Sequence, residues 1–167
     1  MLSKKMEEAL NKQLNAEAYS SYLYLAMSAS LEAQNLPGSA HWMRVQSQEE
    51  LGHVMKFYKY IVERRGRVTL RAIEAPPAEW DSPLAAFEEA FRHEQKVTGL
   101  INELVELAAK EKDPATGVFL QWFVSEQVEE EASVDKVVQV LRLAGKAPGG
   151  LLVIDHKLGE RSASKGG

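Results

Sequence analysis

The run Glu49-Glu50-Leu51-Gly52-His53 places two carboxylates and an imidazole within one helical turn and a half. On a helix, Glu50 and His53 are three apart, point to the same side and can grip one ion together. Around them Met43, Gln46, Phe57 and Ile61 recur at spacings of three and four, the pattern of a face turned toward a core. A charge on such a face needs a partner, either a cation from another segment or a metal held by ligands from several segments.

Three more stretches set an acid inside an apolar stripe. Leu10, Leu14, Glu17, Ser21, Tyr24 and Leu31 fall on one helical face, as do Phe87, Phe91, Glu94, Val97, Ile101, Leu104 and Ala108. A further face reads Leu120, Phe123, Gln127, Glu130, Val134, Val137 and Leu141, with an amide beside the acid. A single Glu in such a place is more often a hydrogen-bonded core group than a ligand. Four of them, one to a stripe, call for a common explanation.

The elements that must position these acids are four long helices. Ser3 suits an N-cap, with Glu7 and Glu8 near the positive end of the dipole, so a first helix is expected over 4–34. Asn35-Leu36-Pro37-Gly38-Ser39 breaks it, and a second helix is expected over 39–65, with Gly66 as its C-terminal cap. So short a joint makes the pair antiparallel. Ser82-Pro83 opens a third helix over 83–111, and Asp113-Pro114 repeats the start signal for a fourth over 114–143, antiparallel to the third. The connection from Arg67 to Asp81, with Pro76-Pro77 and an extended-looking Val68-Thr69-Leu70, is long for a compact domain. A helix of about 27 residues measures roughly 40 Å, and a loop of about 16 residues reaches up to roughly 53 Å. The loop therefore returns the chain along the whole bundle and sets the second and third helices parallel. Beyond the breaks at Gly145 and Pro148-Gly149-Gly150, a short apolar helix over 151–158 must dock on something, and 160–167 has the composition of a flexible tail. The fold class is all-α: one domain over 1–159, a four-helix bundle with a long crossover and a short fifth C-terminal helix.

The midpoints of the four helices lie near residues 19, 52, 97 and 128, within about one turn of each acid. Helices of similar length in a bundle share a level, so Glu17, Glu50 with His53, Glu94, Glu130 and the Gln127 amide converge in the core. Four carboxylates in one desolvated volume do not all stay ionised without cations, because burial and like charge both raise their pKa values. Two divalent cations balance four such charges, and hard oxygen ligands with a single imidazole suit iron or manganese. Bundles that hold two such ions use a Glu from each of two helices and a Glu-x-x-His from each of the other two. Glu50-Leu51-Gly52-His53 matches one of those motifs, whereas Gln127-Val128-Glu129-Glu130 carries Glu where the second His would stand. The second ion is therefore expected to bind more weakly and to leave more readily.

At these residues the sequence resembles the ferritins, in particular the non-haem ferritins of bacteria and archaea, over essentially its full length. The resemblance implies a ferroxidase centre in which Glu17, Glu50 and His53 hold a first iron and Glu94 and Glu130 a second. Glu50 would bridge, and Gln127 would orient the oxygen-facing side. By the same resemblance Tyr24 looks like a nearby redox-active tyrosine, and Glu49, Glu126 and Glu129 like a third iron site, with Glu130 shared between sites. Family membership would also imply a hollow shell of 24 subunits that oxidises Fe(II) with O2 or H2O2 and stores ferric oxyhydroxide mineral. The fifth helix would then pack near a fourfold axis, and Val68-Thr69-Leu70 would pair antiparallel across a dimer twofold.

Composition narrows the field. Apolar and charged contents of 45% and 26% suit a soluble globular chain, and a net charge of −4 without a basic stripe argues against nucleic acid as a partner. The absence of cysteine excludes disulfide scaffolds, thiolate metal sites and cysteine nucleophiles. Without a signal-peptide apolar core or a stretch of spanning length, a cytoplasmic location away from membranes is expected. A bacterioferritin would place its haem methionine where Leu51 stands, so no haem is expected. A rubrerythrin-like peroxidase would need Cys pairs, and a DNA-protecting mini-ferritin builds its metal site between subunits. From another class, a structural or adaptor bundle with a non-catalytic metal site remains as the alternative. Trp42, Trp122 and Phe123 read as packing, and His41, His93 and His156 as surface histidines. Glu126, Glu129 and Glu131 also fit a solvated acidic face.

Overall fold

Ser3, Ser82 and Asp113 each accept a hydrogen bond from the backbone N–H three residues on, at 3.1 Å in every case, and each opens a long helix. A computed structural model describes residues 1–145 and 147–163. Its elements are α1 (Lys4–Ala33), α2 (Pro37–Glu63), α3 (Pro83–Lys110), α4 (Pro114–Ala144) and α5 (Pro148–Leu158). The expected bounds shift by two residues or more at both ends of α2, which stops at Glu63 instead of 65, and at the start of α5. α2 begins at Pro37, ahead of Ser39, and its N-cap position, Leu36, makes no side-chain cap bond. α5 begins at Pro148 instead of 151.

Three helix ends share one device. Asn35, Arg65 and Lys112 have φ of 59°, 59° and 54°, and in each case the next amide reaches back to the carbonyl five residues earlier, closing the last turn. The left-handed residue after α2 is thus Arg65 and not the expected Gly66. Gly66 is needed for space: a Cβ there would stand 2.9 Å from Glu7 Oε2 and 3.0 Å from Ile61 Cγ2.

Helix directions follow from which residues meet. Ser28 meets Ala40, Ser21 meets Ser47 and Glu17 faces His53, so α1 and α2 run in opposite senses. Tyr24 meets Glu94, and Ser3 meets Glu111, which sets α3 antiparallel to α1 and so parallel to α2. Gln127 meets Glu94, and Arg142 meets Glu88, which sets α4 antiparallel to α3. The crossover tracks α1 from end to end. Near its start Arg67 O and Thr69 N bond the two ends of the Asn11 amide at 2.9 and 2.7 Å, and near its finish Trp80 N and O bond Ser30 and Gln34. Val68-Thr69-Leu70 forms no strand within the chain.

The core falls into two apolar halves. Tyr24, Met27, Leu31, Met43, Phe87 and Val134 belong to one, and Leu10, Leu14, Phe57, Ile101, Leu120 and Phe123 to the other. Between them lies a layer of buried polar side chains, as the matching helix midpoints require. Of the expected inward positions, only Ser21 and Phe91 are half-buried instead of buried.

The fifth helix docks through a carboxylate as well as through apolar contact. Leu151, Ile154 and Leu158 pack on the first half of the core. Asp155 accepts from Gly38 N at 3.0 Å, and from Ser39 N and Ser39 Oγ at 2.7 Å each, supplying from a distant segment the cap that α2 lacks. Gly38 lets the backbones close in, since a Cβ there would fall 1.7 Å from the Asp155 carbonyl oxygen. Past α5, Arg161 lies against Trp42, and residues 164–167 of the expected tail lie outside the described residues. Among the described residues no helix is long and apolar enough to cross a membrane.

Candidate metal centre

Each long helix delivers its acid to the polar layer because the acid replaces an apolar residue in the buried stripe. Glu17, Glu50, Glu94, Glu130 and His53 are 1, 2, 1, 5 and 4% exposed. One ligand atom from each of Glu17, Glu50 and His53 lies within 4.8 Å of the others, and the same holds for His53, Glu126 and Glu130. His53 Nδ1 is the nitrogen aimed at both first-group acids, 3.1 Å from Glu50 Oε2 and 3.7 Å from Glu17 Oε2. Its Nε2 faces Glu126 Oε1 at 3.9 Å.

Polar side chains hold the carboxylates in place. Gln13 Nε2 donates to Glu17 Oε1 at 2.8 Å, while Gln46 Nε2 donates to Glu50 Oε1 at 3.1 Å and to Glu130 Oε2 at 2.7 Å. Gln127 Nε2 donates to Glu94 Oε2 at 3.1 Å and lies 3.3 Å from Thr98 Oγ1, and the Tyr24 hydroxyl donates to Glu94 Oε1. The sequence singles out Gln46 only as an inward position and Gln13 not at all, although each sits four residues before a buried Glu, the spacing at which helical neighbours meet.

One atom is left over. Among the described residues, Glu17 Oε2 is the buried side-chain oxygen with no hydrogen-bond partner. A buried carboxylate oxygen without a donor is costly, and a cation between Glu17, Glu50 and His53 would satisfy it. The donor set, oxygen-rich with one imidazole, fits a hard divalent ion.

Without metal, protons must take the place of cations. Burial and the neighbouring Glu94 push the Glu50 carboxyl well above the usual range. Burial raises Glu94 too, only partly offset by hydrogen bonds from Tyr24 and Gln127. Burial and Glu94 bring Glu130 up to about 8. For His53, burial favours the neutral ring but is outweighed by the neighbouring carboxylates of Glu17 and Glu50, which raise it to about 11. Tyr24 is raised well above its ordinary value by burial and by Glu94 and Glu50.

The residues expected at a third site are placed differently from one another. Glu126 is half-buried beside His53 and Glu130; burial raises its pKa, and Glu129 and Glu49 add to the rise. Glu129 is exposed. Glu49 is held by Arg161, whose Nη2 donates to Glu49 Oε2 at 2.5 Å.

Two of the expected surface histidines are not free on the surface. His93 lies 2.7 Å through Nε2 from Ser20 Oγ, beside Tyr19 and edge-on to Tyr24, and burial together with nearby Lys96 lowers it to about 4, keeping it neutral. It escaped the sequence reading because it neighbours Glu94 instead of sharing its stripe. His41 is half-buried and donates through Nε2 to the Arg161 carbonyl at 2.8 Å. His156 is exposed, as expected. Trp42 packs edge-on against Phe87 at 5.1 Å, and Trp122 and Phe123 lie edge-on to the His53 ring at 5.5 and 5.9 Å.

Comparison with known proteins agrees with this architecture. A family model described as a ferritin-like domain matches residues 7–144. A bacterial non-haem ferritin of Bacteroides fragilis is 46% identical over 161 residues, covering 96% of this chain and 100% of the relative. One from Escherichia coli is 40% identical over 158 residues, covering 95% and 96%. The crystal structure of an open-pore ferritin from the hyperthermophilic archaeon Archaeoglobus fulgidus superposes with a TM-score of 0.96 at 56% identity, covering 97% and 100%. A form of that ferritin engineered to be closed gives 0.97 at 55%, covering 98% and 100%.

Proposed function

The chain belongs to the ferritin family, and from that premise we propose that it oxidises Fe(II) at the centre described above and stores the product as ferric oxyhydroxide mineral. Iron is both substrate and cargo, and O2 or H2O2 takes one electron from each Fe(II). Glu17, Glu50 and His53 hold the first iron, Glu94 and Glu130 the second, and Glu50 bridges them. Gln127 is a further candidate on the oxygen-facing side, and Tyr24 a nearby redox-active group. Glu49, Glu126 and Glu129 are the candidates for a third ion, with Glu130 shared.

The observation that carries this reading is the buried Glu17 Oε2, which takes no hydrogen bond and has only His53 Nδ1 beside it at 3.7 Å, inside a layer of four carboxylates. A purely structural polar layer would satisfy its own atoms. The residues also manage protons. His53 and Glu130 carry protons in the metal-free protein and must yield them to bind metal.

Storage requires an enclosure, which we take to be a cytoplasmic shell of 24 copies. Leu51, Met55, Tyr58 and Val62, spaced by four, three and four along α2, form an exposed apolar stripe, with Tyr22 and Leu25 exposed on α1. Such a patch supports association between copies. The Glu-for-His exchange at Glu130 favours an ion that passes through over one kept permanently.

The test adds Fe(II) anaerobically to metal-free protein, admits O2, and follows transient absorbance and particle size by gel filtration. Rapid oxidation on a large particle is expected, with the rate lost in Glu50→Ala and His53→Ala. Oxidation no faster than in buffer refutes the ferroxidase. A particle no larger than a dimer across a range of salt refutes the shell.

A further inference from the structure

Arg161 is the third residue past the end of α5, in a stretch whose composition suggested a tail. Its side chain is nevertheless only 16% exposed. The guanidinium carbon lies 4.0 Å from the centroid of the Trp42 ring, Nη1 is 3.3 Å from the Trp42 carbonyl, and His41 grips the Arg161 carbonyl. Nη2 donates at 2.7 Å to Gln46 Oε1 as well as to Glu49.

That bond decides the orientation of the Gln46 amide. A guanidinium has donors and no acceptor, so only the amide oxygen can face it. The amide nitrogen is thereby turned to the opposite side, where it spans Glu50 Oε1 and Glu130 Oε2. These carboxylates come from different helices, and one NH2 group ties them together. A flipped amide would set its oxygen against two carboxylate oxygens. The orientation does not depend on whether either acid is protonated, because Arg161 alone fixes the acceptor end.

We infer that Arg161 is a positioning residue for the metal centre, acting through Gln46 on Glu130, a ligand of the second ion, and on Glu50, which the two ions share. The inference rests on the di-iron reading above. It ties the carboxylate layer to the last helix: Asp155 docks α5 on the start of α2, and the chain beyond α5 delivers a guanidinium to Gln46. Glu17 is instead held by Gln13, which Arg161 does not touch. Loss of Arg161 therefore reaches the second ion through both Glu50 and Glu130, and the first through Glu50 alone.

The experiment is an anaerobic titration of the metal-free, assembled protein with Co(II), whose visible absorption reports each binding step without oxidation. The wild-type protein is expected to take up two ions in two steps. Arg161→Met keeps an apolar stem over Trp42 but offers no donor, and should weaken the second step by about 10- to 100-fold, the usual effect of losing an outer support, and the first step distinctly less. Gln46→Leu should weaken the same step, and Arg161→Met should add nothing in that background. Arg161→Lys keeps a donor-only cation within reach of Gln46 and should restore part of the loss. Equal weakening of both steps, an Arg161→Met effect that persists with Leu at 46, or no effect in either Arg161 variant overturns the relay. Should Arg161→Met fail to assemble, Arg161→Lys in both backgrounds decides by the same criteria. A wild-type protein that binds no Co(II) overturns the centre itself, a result distinct from failure of the relay.

Discussion

Asp155→Asn tests how the fifth helix is held. The Asp155 carboxylate, 7% exposed, takes three hydrogen bonds from Gly38 N, Ser39 N and Ser39 Oγ at the start of α2. Asn keeps the shape and one acceptor oxygen. With that oxygen in the place of Oδ1, the two Ser39 bonds persist in neutral form, and the new NH2 group confronts the Gly38 N–H. Bonds to a charged group contribute about 1.5–3 kcal/mol and neutral ones about 1. One bond lost and two weakened therefore remove about 2–4 kcal/mol from docking, after allowing for non-additivity. Against this stand the partial burial of Leu151, Ile154 and Leu158, a gain of roughly 1 kcal/mol apiece. The expected outcome is local opening. Amide hydrogen exchange at 37–40 and 151–158 should quicken by about 30- to 1,000-fold, while exchange in the middle of α1 and α3 stays as in the wild type. Unchanged exchange at 37–40 and 151–158 would refute the assignment of Asp155 as the cap of α2. Faster exchange throughout the bundle would refute the idea that α5 is a separable unit.

Two further outcomes follow from the titrating groups. Metal added to metal-free protein at pH 7 should acidify a weakly buffered solution, because His53 at about 11 and Glu130 at about 8 are protonated there and must deprotonate to ligate. Affinity should accordingly fall as pH is lowered, and a pH electrode that records no proton release on saturation would contradict the protonation assigned to the centre. Asp113→Ala should destabilise the bundle by about 1 kcal/mol at pH 7 through loss of the α4 cap, together with the ion pair in which Arg64 Nη2 lies 3.1 Å from each Asp113 oxygen. Burial alone would raise Asp113, but hydrogen bonds from Thr116 and Arg64 outweigh it and the net direction is down. A depressed carboxyl contributes stability above its unfolded value of about 3.9 and loses it as pH falls through the folded one. Denaturant midpoints of wild type and variant should thus converge below about pH 4, and a constant gap down to pH 2 would exclude the carboxylate as the source.

Much that depends on neighbours within two helical turns was legible in the chain alone: the caps at Ser3, Ser82 and Asp113, the four stripes, the acid inside each, and the missing second histidine at Glu130. The reach of the crossover fixed the helix directions, since only a return along the whole bundle suits so long a connection. The shared level of Glu17, Glu50, Glu94 and Glu130 then followed from equal helix lengths. The Gln13–Glu17 and Gln46–Glu50 pairs were equally legible, being local. Partners far apart in the chain were decided only by the tertiary structure. Asp155 caps a helix more than a hundred residues earlier, Arg161 reaches Gln46 from a segment that reads as a tail, and His93 is half-buried against Ser20 and Tyr19 of another helix. Periodicity records which face of a helix is covered; it carries no trace of which distant side chain arrives to cover it, because that depends on how separate elements dock.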